Sequence, residues 1–144
     1  MDERLVLPAA STAADVLATA VTVPPLLGRQ ILFDAFDCAA PLPSPDGFRS
    51  IAHQLAALVG GEMLGTQHYH FTPHGLTLTA ILSASHLAIH TWPEYQFVAV
   101  DIFTCAARPD FEASAAYLKT ALGCARLERR EMLRGYTLGE PNPK

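Results

Sequence analysis

The chain lacks what would tie it to a disulfide framework, a structural zinc or a membrane. Its three cysteines, Cys38, Cys105 and Cys124, are odd in number and far apart. They cannot close a set of disulfides and offer no CxxC pair to a metal, so a reducing, cytoplasmic setting is expected. No apolar run approaches the roughly 20 residues a spanning helix needs. The opening "MDERLVLPAASTAADVLATAVTVPP" is acidic where a signal peptide is basic, and Thr, Asp and Pro interrupt its apolar stretches. A soluble protein follows. With a formal charge of −4 and both signs interspersed, there is no basic patch for nucleic acid and no polybasic arm for a lipid surface. Also missing around Ser85 is the G-x-S-x-G elbow of a serine hydrolase.

What is present suits one globular domain: 144 residues, 50% of them hydrophobic and 17% charged. Residues 1–27 are rich in Ala, Thr and Val, close on Pro24-Pro25 and read as an extension. The domain itself is placed at 28–135, with a charged, Pro-containing tail at 136–144.

Along that domain, "RQILFDAFD" (29–37) predicts a strand, ended by the Pro-rich turn "APLPSPDG" (40–47). Ser44 is then placed to cap a helix whose first position is Pro45 and whose first turn holds Asp46. Phe48, Ile51, Leu55, Leu58 and Val59 form its apolar stripe, and Gly60-Gly61 stops it. Strands are predicted at 63–72 and 76–84 about Pro73-His74-Gly75, then at 86–91 and 97–105 about Pro93 to Gln96. A second helix carries Phe111, Ala115, Leu118 and Leu122 and closes at Gly123, and a last strand covers 124–132.

Strands joined by such short turns are antiparallel, so the expected fold is α+β. It consists of a mainly antiparallel sheet with two helices packed on one face, in two similar halves of β-α-β type. In "FVAVDIFTC", Phe97, Ala99, Phe103 and Cys105 share one face while Val98, Val100 and Ile102 share the other. Both faces are apolar, and two helices cover only one. The second is expected to need a partner subunit or long loops, and of these a homodimer is the expectation.

The stretch 81–105 carries the chemistry. If its hairpin turns between Glu94 and Tyr95, paired positions add to about 189, which sets Cys105 across from residue 84 and one step from Ser85. A preceding turn near Ala84 would bring Thr77 and Thr79 alongside His90 and Trp92. A serine, a histidine, a cysteine and a threonine are thus expected to converge near one end of the sheet. One use of that set is nucleophilic catalysis, with Ser85 or Cys105 attacking and a His as base. Another is attack by the Ser85 hydroxyl on its own preceding carbonyl. That N-to-O acyl shift, followed by β-elimination, leaves a pyruvoyl group at a new N-terminus. Metal binding has a weaker basis: His68 and His70 share one strand face, and His86 and His90 another, but no carboxylate or thiolate stands at close spacing, so no metal is assigned.

"SHLAIHTWPEYQFVAVDIFTC" (85–105) resembles the central signature of the prokaryotic, pyruvoyl-dependent S-adenosylmethionine decarboxylase proenzymes, and "GRQILFDAFDC" and "HYHFTPHGLT" fit the same family at the expected spacing. The resemblance covers about 28–135. It implies that the chain is cut between Ala84 and Ser85, and that Ser85 becomes the covalent pyruvoyl cofactor. His90 would be the base that removes the Cα proton during elimination, assisted by the hydroxyl of Thr77. Cys105 would be the acid that returns a proton to the substrate carbon, Phe71 the aromatic stacked on adenine, and Glu94 the carboxylate holding the ribose hydroxyls. A pyruvoyl carbonyl forms a Schiff base with the substrate amine and withdraws the electrons left by decarboxylation, so no PLP lysine is required. Cys105, set in an apolar strand, is expected to stay a neutral thiol able to donate.

The implied product is the aminopropyl donor for spermidine, made by a homodimer of cleaved protomers. Departures stand at Ala84, where the family usually has Glu, and at Gln96 and Ala106, where it usually has Gly. Because the acyl shift uses the backbone carbonyl of residue 84, Ala there does not forbid cleavage. The departures keep open a pyruvoyl decarboxylase of ornithine or arginine on the same fold, or a non-processing paralogue.

Overall fold

The computed structural model describes residues 27–135. The tail expected at 136–144, and all of the expected extension but Leu27, lie outside the described residues. The elements are β1 (Gly28–Phe36), α1 (Pro45–Leu58), β2 (Met63–His70), β3 (Leu76–Leu82), β4 (Ser85–Trp92), a single 3-10 turn (Pro93–Tyr95), β5 (Phe97–Thr104), α2 (Phe111–Leu122) and β6 (Arg126–Arg134).

Local chemistry sets the ends of both helices. Ser44 accepts from the Gly47 amide at 3.2 Å with Pro45 at the first position of α1, while Asp110 accepts from the Ala113 amide at 2.8 Å to start α2. Gly123, at φ 54°, closes α2 in the left-handed region that a side chain disfavours. The buried stripe of α1 is Phe48, Ile51, Ala52, Leu55 and Ala56, with Val59 buried just past its end. Leu58, expected in that stripe, is only half-buried, because the i, i+3, i+4 rows run through the two alanines instead. In α2, Ser114 rather than Ala115 is fully buried, its hydroxyl donating to the Asp110 carbonyl at 2.7 Å.

The six strands form one antiparallel sheet in the order β2-β3-β4-β5-β1-β6. Each half, β1-α1-β2-β3 and β4-β5-α2-β6, contributes one helix. The halves interlock because β1 lies between β5 and β6. Period-two alternation sends Ile31, Phe33, Leu78, Ile89, Val100 and Ile102 to the helix side, where all are buried. Burying such side chains stabilises the fold by about 1.5–3 kcal/mol each. The opposite face carries Leu32, Ala88, His90, Ala99, Asp101 and Phe103, all half-buried, with Thr79, Ile81 and His86 exposed. No helix among the described residues covers this open face, in line with the sequence expectation that something else must. None of those helices is long and apolar enough to cross a membrane.

Candidate active site

The β4-β5 hairpin has the expected register, with Ser85 opposite Thr104 and Trp92 opposite Phe97. Cys105 meets residue 84 as expected, through its amide, which donates to the Ala84 carbonyl at 2.9 Å. Cys105 is an exposed residue, not set within an apolar strand: β5 ends at Thr104, and Cys105 lies one residue beyond. The reason is local. The Thr104 hydroxyl donates to the Val59 carbonyl at 3.2 Å and accepts from the Ala106 amide at 3.1 Å, which draws the chain off the sheet.

Ser85 opens β4 straight after the two-residue turn Ser83-Ala84. Its φ of 133° is one that residues with a side chain rarely adopt, at a cost on the order of 1–3 kcal/mol. The turn holds it there from two sides. Ser83 and Glu62 exchange two hydrogen bonds, Ser83 amide to Glu62 carbonyl at 2.8 Å and Glu62 amide to Ser83 hydroxyl at 2.9 Å, while Cys105 holds Ala84. The Ser85 hydroxyl stands 3.1 Å from Nδ1 of His86. Beside Cys105 opens a cavity of about 350 Å³ lined by Gly28, Arg29, Thr104 and Ala106.

A second group gathers at the other end of β4. Thr77 lies opposite His90, with Thr77 Oγ1 3.0 Å from His90 Nδ1. When Nδ1 carries the ring proton and donates to Thr77, Nε2 keeps a lone pair and can act as a base. Phe71, Thr77, His90, Trp92 and Glu94 line one cavity of about 260 Å³. Phe71 is half exposed. This cavity presents an aromatic face, a carboxylate and an imidazole to one space.

The expected convergence of serine, histidine, cysteine and threonine does not occur within one chain. Ser85 and His90 are five residues apart on one extended strand, about 16 Å by strand rise. Thr79 lies opposite Ala88, four residues from Trp92, because in an antiparallel pair a step of two along β3 from Thr77 moves two back along β4 from His90. The described residues therefore divide into a Ser85-His86-Cys105 group and a Phe71-Thr77-His90-Glu94 group.

The sequence reading gave His86 no role at the serine and left out Trp92 as a cavity wall. The signals available were adjacency alone: His86 to Ser85, and Trp92 to Glu94. Among the described residues, no three His, Cys, Asp or Glu side chains gather as metal ligands. Of the cysteines, Cys38 and Cys124 are buried. Burial, with Cys124 and Asp37 nearby, pushes the Cys38 thiol up to about 11 and keeps it protonated and inert. Cys105 alone of the three is exposed.

The family pattern described as S-adenosylmethionine decarboxylase matches residues 29–135. An S-adenosylmethionine decarboxylase proenzyme of Acidithiobacillus ferrooxidans is 41% identical over 110 residues, covering 76% of this chain and 83% of that protein. One of Thermosipho melanesiensis is 36% identical over 110 residues, covering 76% and 85%. The crystal structure of the adenosylmethionine decarboxylase from Aquifex aeolicus superposes with a TM-score of 0.68 at 28% identity, covering 82% of this chain and 98% of that one.

Proposed function

The chain belongs to the S-adenosylmethionine decarboxylase family, and from that premise we propose that it is a self-processing, pyruvoyl-dependent decarboxylase of S-adenosylmethionine. The observation that carries this reading is the turn at Ser85. A serine at φ 133°, preceded by a carbonyl already held by the Cys105 amide, fits a residue that attacks its own backbone. Ester formation between Ser85 Oγ and the Ala84 carbonyl carbon breaks the strained peptide link. Loss of the Cα proton to His90 then expels the Ala84 carboxylate. Hydrolysis of the resulting enamine releases ammonia and leaves the pyruvoyl group, whose carbonyl supplies the electron sink for decarboxylation.

This chain's own residues do the remaining work. Phe71 stacks on the adenine, and Glu94 accepts from the ribose hydroxyls in the cavity they share. Cys105 donates the proton that replaces carbon dioxide, from an exposed position beside the new N-terminus at Ser85. The product carries the aminopropyl group used to make spermidine.

The roughly 16 Å between Ser85 and His90 supports a homodimer with composite sites. Pairing two open faces about a two-fold axis sets the Ser85 group of one protomer against the His90 group of its partner, twice over. Unpaired Cys38, Cys105 and Cys124 suit a reducing cytoplasm. Residues 28–135 form the catalytic domain in this reading. Ala84 removes a carboxylate from the edge of the site without disturbing the carbonyl that reacts, so ornithine and arginine are assayed beside S-adenosylmethionine. Mass analysis of the purified chain should give two fragments broken before Ser85, with carbon dioxide released from S-adenosylmethionine. An uncut chain would overturn self-processing, and release only from ornithine or arginine would overturn the substrate.

A further inference from the structure

Self-cleavage needs a base twice, and within the chain the imidazole at the Ser85 hydroxyl is not that of His90. The Cα proton leaves late, after the ester exists. Before that, the Ser85 hydroxyl must lose its own proton, since a neutral serine is a weak nucleophile. The His90 of the same chain is five residues along β4 and hydrogen-bonded to Thr77, so without a partner it cannot take that proton. The ring at the hydroxyl is that of His86, with Nδ1 3.1 Å from Ser85 Oγ.

We propose that His86 is the general base for the first step of self-processing, with the Cys105 backbone amide as the donor that holds the developing oxyanion on Ala84. This rests on the self-processing reading above. With the ring proton on Nε2, Nδ1 accepts from Ser85 Oγ. As Oγ bonds to the Ala84 carbonyl carbon, its proton passes to Nδ1 and the carbonyl electron pair moves onto oxygen. That oxygen already accepts from Cys105 at 2.9 Å. The carbon–nitrogen bond then breaks, and His86 returns the proton to the departing Ser85 nitrogen. An ester and a free amine result, and no other reactant is consumed.

The surroundings fit a working ring rather than a core histidine. His86 is exposed on the open face, opposite Ile81 across one strand pair and tilted against Phe103 at 5.8 Å across the other. Phe103 thus packs beside the ring while Nδ1 meets the Ser85 hydroxyl. All of these groups lie in one chain, so the acyl shift does not wait for a partner protomer, whereas the elimination by His90 does.

Trapping separates the two steps. In a cell-free translation time course of the full chain, His86→Gln should slow cleavage by about 10²-fold or more, the usual worth of a general base. The uncut His86→Gln chain should resist hydroxylamine, because it remains an amide. His90→Ala should accumulate an ester that hydroxylamine splits before Ser85. Added imidazole should restore cleavage to His86→Gly, a rescue that a purely structural role would not give. Cleavage of His86→Gln at the wild-type rate would overturn the proposal while leaving self-processing intact. So would a hydroxylamine-sensitive ester in that variant, or slow cleavage of His86→Gly that imidazole leaves unchanged. A wild-type chain that never cleaves would instead overturn the reading on which this rests.

Discussion

Coexpression of a Ser85→Ala chain with a His90→Ala chain turns the spacing along β4 into a count of active sites. Alone, each variant should be inactive: under the proposed mechanism one lacks the attacking oxygen and the other the base for elimination. Proton transfer needs heavy atoms roughly 3 Å apart, and five residues of extended strand separate these groups by about 16 Å. If each site takes the Ser85 turn from one protomer and the Thr77-His90 pair from its partner, a mixed dimer contains one site with both groups intact and one with neither. Random pairing of equal amounts makes about half of the dimers mixed, so about a quarter of all sites are whole. Purifying by two different tags, one on each chain, removes the parental dimers and raises that share to about a half.

Intact-mass analysis and carbon dioxide release give the readout. Cleavage should occur only in the His90→Ala chain, which retains Ser85, and turnover should reach about half of the wild-type value per dimer. Mixed dimers that stay uncut and inactive would refute the reasoning, since that is the result a site contained in one chain requires.

Cys105→Ala keeps the backbone amide that holds Ala84, so cleavage should proceed near the wild-type rate while kcat falls by roughly 10²–10⁴-fold; gels and turnover measured on one preparation check both. Phe71→Ala should raise KM for S-adenosylmethionine by about tenfold with a smaller effect on kcat, the worth of roughly 1.4 kcal/mol of stacking. Cys38 gives a pH test. Its folded value is raised from 9.0 to about 11, so its contribution to stability is fully present below pH 9 and declines as pH rises from about 9 through about 11. Urea midpoints of the wild type should fall more steeply over that range than those of Cys38→Ala, and parallel lines would contradict the assigned burial effect.

Much of the fold is legible because its signals are local. Ser44-Pro45, Gly123 and the alternation in "ILFDAF" each act within a turn or a strand, and each element follows from them to within a few residues. The β4-β5 register was likewise readable, since Pro93 to Gln96 leaves few ways to close the hairpin. The preceding turn was readable to within a residue, expected near Ala84 and found at Ser83-Ala84, but "LSAS" contains neither Gly nor Pro, so nothing marked the positive φ that falls on Ser85 itself. The separation of Ser85 from His90 escaped for a different reason. Their closeness in sequence suggested one site, but an extended strand converts five residues into the width of a small molecule and more.

The family, the α+β class and the helix boundaries are legible in the chain alone, because alternation, caps and a long mixed motif are properties of neighbouring residues. Folding in three dimensions adds that β1 lies between β5 and β6, that the candidate residues form two groups, and that the Ser85 hydroxyl faces His86 rather than His90. Those facts depend on which strands pair and how far a pleated chain reaches, and no local pattern encodes them.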